Sequence, residues 1–277
     1  MSEHKVSRTA LRTAYLRAAH QLLDAQPLIL DDPIVVSIIG PDGVQRIHDM
    51  AEMYYTPERQ ALRAHVVLRS RFAEDRLEAA VNRNVRQYII LGAGFDTFAF
   101  RQPEWSRILD IYEFDQAGTQ SLKRSLVSAA GLPMPGNLEY IAIDFENEPL
   151  SEGLLRSNVL MQEPAFFSWL GVMMYLKEDT IDEVIRSVAS FPAGSEIVLT
   201  FQPPPGNSPS PFEQRVAILD EPWVSYFEPE ELEAKLRDAG FSEVEFLTPA
   251  EAKAMYFHQR LDDLTAPRRT NILYAVL

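Results

Sequence analysis

The stretch "YIILGAGFDTFAFR", residues 88–101, runs an apolar segment into a turn with two glycines, Gly92 and Gly94. A strand that feeds such a turn and then a helix offers backbone N–H groups at close range to a ligand. Dinucleotide enzymes use G-x-G-x-x-G, in which the third glycine lets helix and strand pack closely. Thr97 holds that third position here, so the nicotinamide fingerprint is incomplete and a bare tight turn is the plain alternative. The next apolar run, "ILDIYEFDQAG", carries Asp115 at its end, where a carboxylate can accept from both ribose hydroxyls of an adenosine. A third, "LEYIAIDFEN", ends in Asp144 followed by Phe145. An acid there can take the exocyclic amino group of adenine while the ring covers its face. Turn, ribose acid and adenine acid come at three consecutive strand ends. The combination asks for adenosine without asking for a pyrophosphate.

Those residues need strands and helices to position them. From residue 88 short apolar runs alternate with helical stretches, the pattern of a parallel sheet with helices on both faces. Strands are expected at Tyr88–Leu91, Ile108–Phe114, Leu138–Ile143, Ala165–Trp169 and Glu196–Phe201. "SEVEFLTP" and the final "TNILYAVL" read as late strands that could pair as an antiparallel edge. "LKEDTIDEVIRSVASFPAG" is a helix with Ile181, Val184, Ile185 and Val188 on one face, and "FEPEELEAKLRDAGF" is another, started by Pro229 and stopped by Gly240. Residues 1–87 read as mostly helical. In "TPERQALRAHVVLRSRFAEDRLEAAV" Thr56 is the expected N-cap and Pro57 the first helical residue, with Leu68, Phe72, Ala73, Leu77, Ala80 and Val81 at helical spacing. The division expected is a helical N-terminal cap over residues 1–87 and a ligand-binding core over 88–277. "QPPPGNSPSP", residues 202–211, reads as a long surface loop.

Composition narrows the chemistry further. The chain has 277 residues, 46% of them hydrophobic and 24% charged, which suits one large globular unit. It has no cysteine, which removes disulfides, thiolate metal sites and cysteine nucleophiles together. The five histidines (His4, His20, His48, His65, His258) are scattered, so no metal is expected. A formal charge of −14 argues against nucleic acid, since phosphate binding needs a basic face. No run approaches a membrane span and no signal-peptide core is present, so the expected location is cytoplasmic. There is no GxSxG elbow and no P-loop.

"RSRFAEDRL", "ILGAGFDTFAFR", "YEFDQ", "IDFE", "FFSWLGVMMYL" and "FEPEELEAKLRDAGF", in this order, resemble the S-adenosylmethionine-dependent methyltransferases related to leucine carboxyl methyltransferase. The resemblance runs from about residue 50 to the C-terminus. It implies a class I, Rossmann-like α/β fold with a seven-stranded sheet, mostly parallel with the last strand reversed, and a helical N-terminal region over the active site. It implies S-adenosyl-L-methionine as cofactor, with Gly92, Ala93 and Gly94 beside its methionine part. Asp115 would hold the ribose, Asp144 and Phe145 the adenine, and Gln116 would be a further cofactor-binding residue. An arginine of the helix before the first strand would grip the cofactor carboxylate, Arg71 first and Arg69 second. For Arg71 the competing reading is an ion pair with Asp75 one turn on. One departure is clear: Leu170 stands before Gly171 where the leucine carboxyl methyltransferases carry a glutamate, so specificity for a protein C-terminus is not inherited. The implied reaction is O-methylation of a small-molecule hydroxyl or carboxylate, with a lean towards polyketide-type acceptors.

A carboxylate acceptor needs no general base, whereas a hydroxyl usually does. His48, His65 and Tyr175 are the candidates, and no catalytic residue is assigned. Asp96 reads as a helix cap. "FFSWLGVMM" serves as pocket wall or as core, and "PWVSYF" (222–227) offers aromatics for a lid. Two other classes stay open: a non-catalytic S-adenosylmethionine-binding module and an NAD-dependent oxidoreductase. The expected partner is a small-molecule acceptor, and a homodimer is left open.

Overall fold

The computed structural model describes residues 6–205, 221–258, 260 and 264–277. Seven strands form one sheet in the order β3-β2-β1-β4-β5-β7-β6. They are β1 (Gln87–Leu91), β2 (Asp110–Asp115), β3 (Leu138–Ala142), β4 (Ala165–Trp169), β5 (Glu196–Thr200), β6 (Glu243–Phe246) and β7 (Ile272–Val276). The first five pair in parallel, and β7 runs antiparallel to both of its neighbours, β5 and β6. This is the class I Rossmann-like architecture. β1, β4 and β5 are buried along their whole length, as a sheet covered on both faces requires.

The two late strands do pair antiparallel, but they do not form the edge together. β7, "ILYAV", is apolar at every position and lies inside the sheet, while β6, "EVEF", alternates glutamate with apolar residues and takes the edge alone. The second strand starts at Asp110 rather than at Ile108, because the chain closes a turn there, with Leu109 N–H donating to Ser106 O at 3.0 Å. The third and fifth strands each end one residue before the expected boundary.

One face of the sheet is covered by α4 (Pro57–Asn82), whose Leu68, Phe72, Ala73, Leu77, Ala80 and Val81 are all buried against Ile90, Ile111, Phe166 and Val198. The other face is covered by α7 (Leu150–Leu155), α8 (Glu178–Ala189) and α9 (Pro229–Ala239), and packs Phe114, Phe167, Trp169 and Leu199 against Ile181, Ile185 and Leu236. Thr56 precedes α4 as expected, but its hydroxyl donates back to Met53 O at 3.0 Å instead of capping the helix. A third cluster packs α1 (Arg8–Leu23) and α2 (Pro33–Asp49) against α4 and α6 (Ala117–Ala129), through Ala14, Ile38, Val66, Phe95 and Val127. The sequence division at residue 87 falls between α4 and β1, yet α4 is itself one of the helices that bury the sheet. Of "QPPPGNSPSP", residues 202–205 are irregular chain and 206–211 lie outside the described residues.

Leu77 is fully buried on α4, whereas Leu155 on α7 is 78% exposed. Leu77→Ala should lower the unfolding free energy by about 2–5 kcal/mol, and Leu155→Ala should change it by less than about 0.5 kcal/mol. Urea denaturation of the two variants checks this.

Candidate active site

Strand order reverses between β1 and β4, and a crevice opens at the carboxyl ends of the strands there, where open α/β sheets bind ligands. A cavity of about 350 Å³ lies in it, within the roughly 300–1,000 Å³ of small-molecule sites. Gly92, Ala93, Gly94, Asp115, Gln116, Asp144 and Phe145 all line it. The turn after β1 is pinned to β2, with Gly92 N–H donating to Phe114 O at 2.8 Å and Ala93 N–H to the same oxygen at 3.2 Å. Gly92 has φ 68°, and a Cβ there would come within 2.3 Å of Val172. Only glycine fits that turn against the chain leaving β4.

Asp115 ends β2 with its carboxylate already oriented. Oδ2 accepts the Gly94 N–H, and Oδ1 accepts the Gln116 N–H at 2.6 Å. Burial pushes this carboxyl up from its usual range, against the pull of the two N–H donors. Each oxygen keeps a second lone pair for a hydroxyl donor. Asp144 is half-buried, and its Oδ2 accepts from Asn147 Nδ2 at 2.8 Å. Asp96 is not the helix cap expected: Thr97 holds the N-cap position of the short helix α5 (Phe98–Arg101), and Asp96, one residue earlier, accepts the Phe98 N–H on Oδ1 at 2.8 Å while its other oxygen stands 3.9 Å from Arg17.

The two arginine candidates separate. Arg71 points away from the cavity, 46% exposed, and pairs with Asp75 at 2.8 Å. Arg69 lines the cavity, and its buried Nε has no hydrogen-bond partner among the described residues. Its guanidinium fills the space over Gly171, where a Cβ would meet Nη1 at 2.4 Å; Gly171 has φ 76°. Burial, reinforced by the like charge of Arg17, brings Arg69 down to about 10, so it is still a cation at neutral pH. Two residues of spacing decide the matter, because α4 turns about 100° per residue and only one of the two faces the crevice.

Of the base candidates, only Tyr175 lines the cavity. Its hydroxyl stands against Thr9 and Trp223, and burial together with Glu221 pushes it up. His48 is exposed on α2. His65 lies one turn before Arg69 and donates from Nε2 to Thr270 O at 2.7 Å. Burial and the Arg69 cation push its pKa from 6.5 down to about 4.

"FFSWLGVMM" divides between both readings: Phe166, Phe167 and Trp169 are core, whereas Ser168, Leu170, Gly171 and Val172 line the cavity. From "PWVSYF", Pro222 and Val224 line it too, while Phe227 is buried in the core. Residues that sequence reasoning did not single out are Thr9, Thr13 and Arg17 of α1, and Glu221. Arg17 reaches the turn by donating from Nη2 to Phe95 O, and no local pattern announces a contact across such a separation. Among the described residues no group of three or more potential ligands is placed to hold a metal ion. No helix among them is long and apolar enough to cross a membrane.

Comparison with known proteins agrees with this architecture. The family described as leucine carboxyl methyltransferase matches residues 10–189. The Bacillus subtilis (strain 168) protein YktD, provisionally named an S-adenosyl-L-methionine-dependent methyltransferase, is 30% identical over 304 aligned residues, covering 100% of this chain and 99% of that protein. A Mycobacterium marinum protein with the same provisional activity is 28% identical over 226 residues, covering 79% of this chain and 72% of its own length. A crystal structure of a provisionally named methyltransferase from Thermobifida fusca YX shares the fold, with a TM-score of 0.55 at 16% identity over 87% of this chain and 91% of that one.

His65 yields a pH dependence. The folded chain keeps it neutral down to about 4, while the unfolded chain protonates it near its ordinary pKa of about 6.5. Between those values only the unfolded state gains the proton, so the contribution of His65 is complete above pH 6.5 and is lost as pH falls towards 4. Urea titrations at about pH 7 and pH 4.5 should differ by about 1–3 kcal/mol more in the wild type than in His65→Gln.

Proposed function

The chain belongs to the leucine carboxyl methyltransferase family and is an S-adenosyl-L-methionine-dependent methyltransferase; on that premise we propose that it methylates an oxygen, hydroxyl or carboxylate, of a small-molecule acceptor. The observation that carries the site assignment is the convergence on one cavity of the glycine turn, Asp115, Asp144 with Phe145, and the buried Arg69 guanidinium, whose Nε has no hydrogen-bond partner among the described residues. The donor set fits the cofactor group by group. Arg69 would take its carboxylate, Asp115 its ribose hydroxyls, Asp144 its adenine amino group, and Phe145 the face of the base. The turn at Gly92–Gly94 would lie along its methionine portion.

When bound, the sulfonium supplies an electrophilic methyl group. The chain's own part is to hold the acceptor oxygen in line, exclude water and keep the reacting groups together. Tyr175 is suited to donate a hydrogen bond, not to remove a proton, since its hydroxyl is held neutral by burial and by Glu221. That favours acceptors that arrive ionised or nearly so, and it agrees with a site that needs no dedicated base. Leu170 and Val172 add apolar wall beside the reacting region.

Calorimetric titration tests the assignment. S-adenosylmethionine and S-adenosylhomocysteine should bind and NAD should not. Arg69→Ala and Asp115→Ala should each weaken binding by about tenfold or more, while Arg71→Ala stays within about twofold. NAD binding alone would overturn the reading of the turn. An acceptor screen that read methyl transfer to carbon or nitrogen would overturn the choice of oxygen.

A further inference from the structure

Two pieces of chain far apart in sequence close the cavity on the side away from the sheet: the first turn of α1 and residues 221–224. α1 lies directly on the glycine turn, so close that a Cβ on Gly94 would stand 3.2 Å from Ala10 Cβ. The two pieces meet at Glu221. Its Oε1 accepts the Arg8 N–H at 2.9 Å and its Oε2 accepts the Thr9 N–H at 3.0 Å. These are free N–H groups at the start of a 16-residue helix, where the partial positive charge of the helix is concentrated. The segment bearing Glu221 is fastened to the chain after β4: Val224 N–H donates to Met174 O at 2.8 Å, and Ser225 Oγ to Leu176 O at 2.5 Å. On its other side the first turn of α1 is held to α6 by a bond from Ser7 N–H to Thr119 Oγ1 at 3.2 Å. Arg8 is exposed and Glu221 half-buried, so the junction lies at the rim, where water can replace it.

We infer that Glu221 is a positioning residue that latches α1 over the cofactor, and that its release sets the rate at which cofactor and demethylated product exchange. The inference rests on the cavity being the cofactor site. A ligand lying along Gly92–Gly94 lies under α1, so it enters or leaves when the first turn lifts. The Glu221 carboxylate ties the backbone of that turn to the segment fastened after β4, beside the Tyr175 hydroxyl that stands against the Thr9 side chain. Both of its oxygens accept, which glutamine cannot imitate: the amide presents one acceptor and turns its NH₂ towards a second N–H. The latch therefore requires the carboxylate, and an aspartate restores the charge with a shorter reach.

Glu221→Gln, Glu221→Asp and, as a surface control on α9, Glu230→Gln are compared as full chains. Hydrogen exchange without ligand should show the peptide spanning the start of α1 exchanging about tenfold faster in Glu221→Gln. Stopped-flow measurement of S-adenosylhomocysteine should show association and dissociation both faster by a similar factor, with the dissociation constant within about threefold and the thermal midpoint within about 4 °C. Glu221→Asp should fall between wild type and Glu221→Gln, and Glu230→Gln should match wild type. Faster exchange of α1 with unaltered ligand rates would leave Glu221 a structural cap and overturn the gate. A rise in dissociation alone, with affinity lost in proportion, would make it a ligand contact and overturn it equally. Unaltered exchange of α1 would show that nothing is latched. Failure of the wild type to bind S-adenosylhomocysteine would overturn the cofactor assignment and the gate with it, while the exchange measurement would still tell whether Glu221 holds α1.

Discussion

Most guanidiniums buried in the N-terminal half of this chain are matched by a carboxylate. Arg63 takes Asp24 at two points, 2.8 and 2.7 Å, Arg101 takes Glu74, and Arg17 lies 3.6 Å from Asp32 and 3.9 Å from Asp96. Among the described residues Arg69 has no such ion pair: the Asp96 carboxylate favours its charge from a longer range, against burial and the like charge of Arg17, and a cation withdrawn from water without a paired counter-charge destabilises a fold by several kcal/mol. Much of the surrounding structure accommodates that one group. Gly171 leaves room for the guanidinium, and the position before it is leucine, so no acid arrives from β4 to neutralise it. In the proposed site the carboxylate of the ligand would complete that compensation, in a cavity whose lining also holds the acids Asp96, Asp115, Asp144, Glu146 and Glu221.

The cavity takes its shape from the sheet. Parallel strands end on one side, and the reversal of strand order between β1 and β4 separates the chains that leave them. Asp115 and Asp144 approach from one side of that gap and residues 168–172 from the other. The α1–α2 pair then closes what the sheet leaves open. It is held by side chains that act across elements: Asp32 caps α2 through Val35 N–H and stands near both Arg17 and Arg101, while Arg17 reaches the carbonyl of Phe95 in the glycine turn. The N-terminal helices and the turn are therefore joined through buried charge.

The strands and the helices that cover them were legible in the sequence because hydrophobic period and burial coincide there. Ala165–Trp169 occupies its expected bounds, and every apolar residue marked on the helix over 57–82 is buried. The placement of the glycine turn and of the acids at the strand ends was legible for a related reason: it depends on backbone conformation and position along one strand, both local properties. The placement of the late strands was not legible, since pairing order is set by which strand can be buried on both faces, and that comparison spans the whole sheet.

What the sequence determined by itself was thus a parallel sheet with one reversed strand, and a glycine turn and acids at its strand ends that line one cavity. It ranked Arg71 before Arg69, wrongly for the cavity, because the two share a helix, a charge and a neighbourhood. Only the rotation of α4 against the sheet decided that Arg71 meets Asp75 on the outer face and Arg69 enters the crevice. Nor could it join Glu221 to α1 or Arg17 to the turn, because those bonds link residues that become neighbours only after the core has packed. Local chemistry is written along the chain, whereas the facing of a helix and the closure of a cavity depend on how separate buried surfaces fit together.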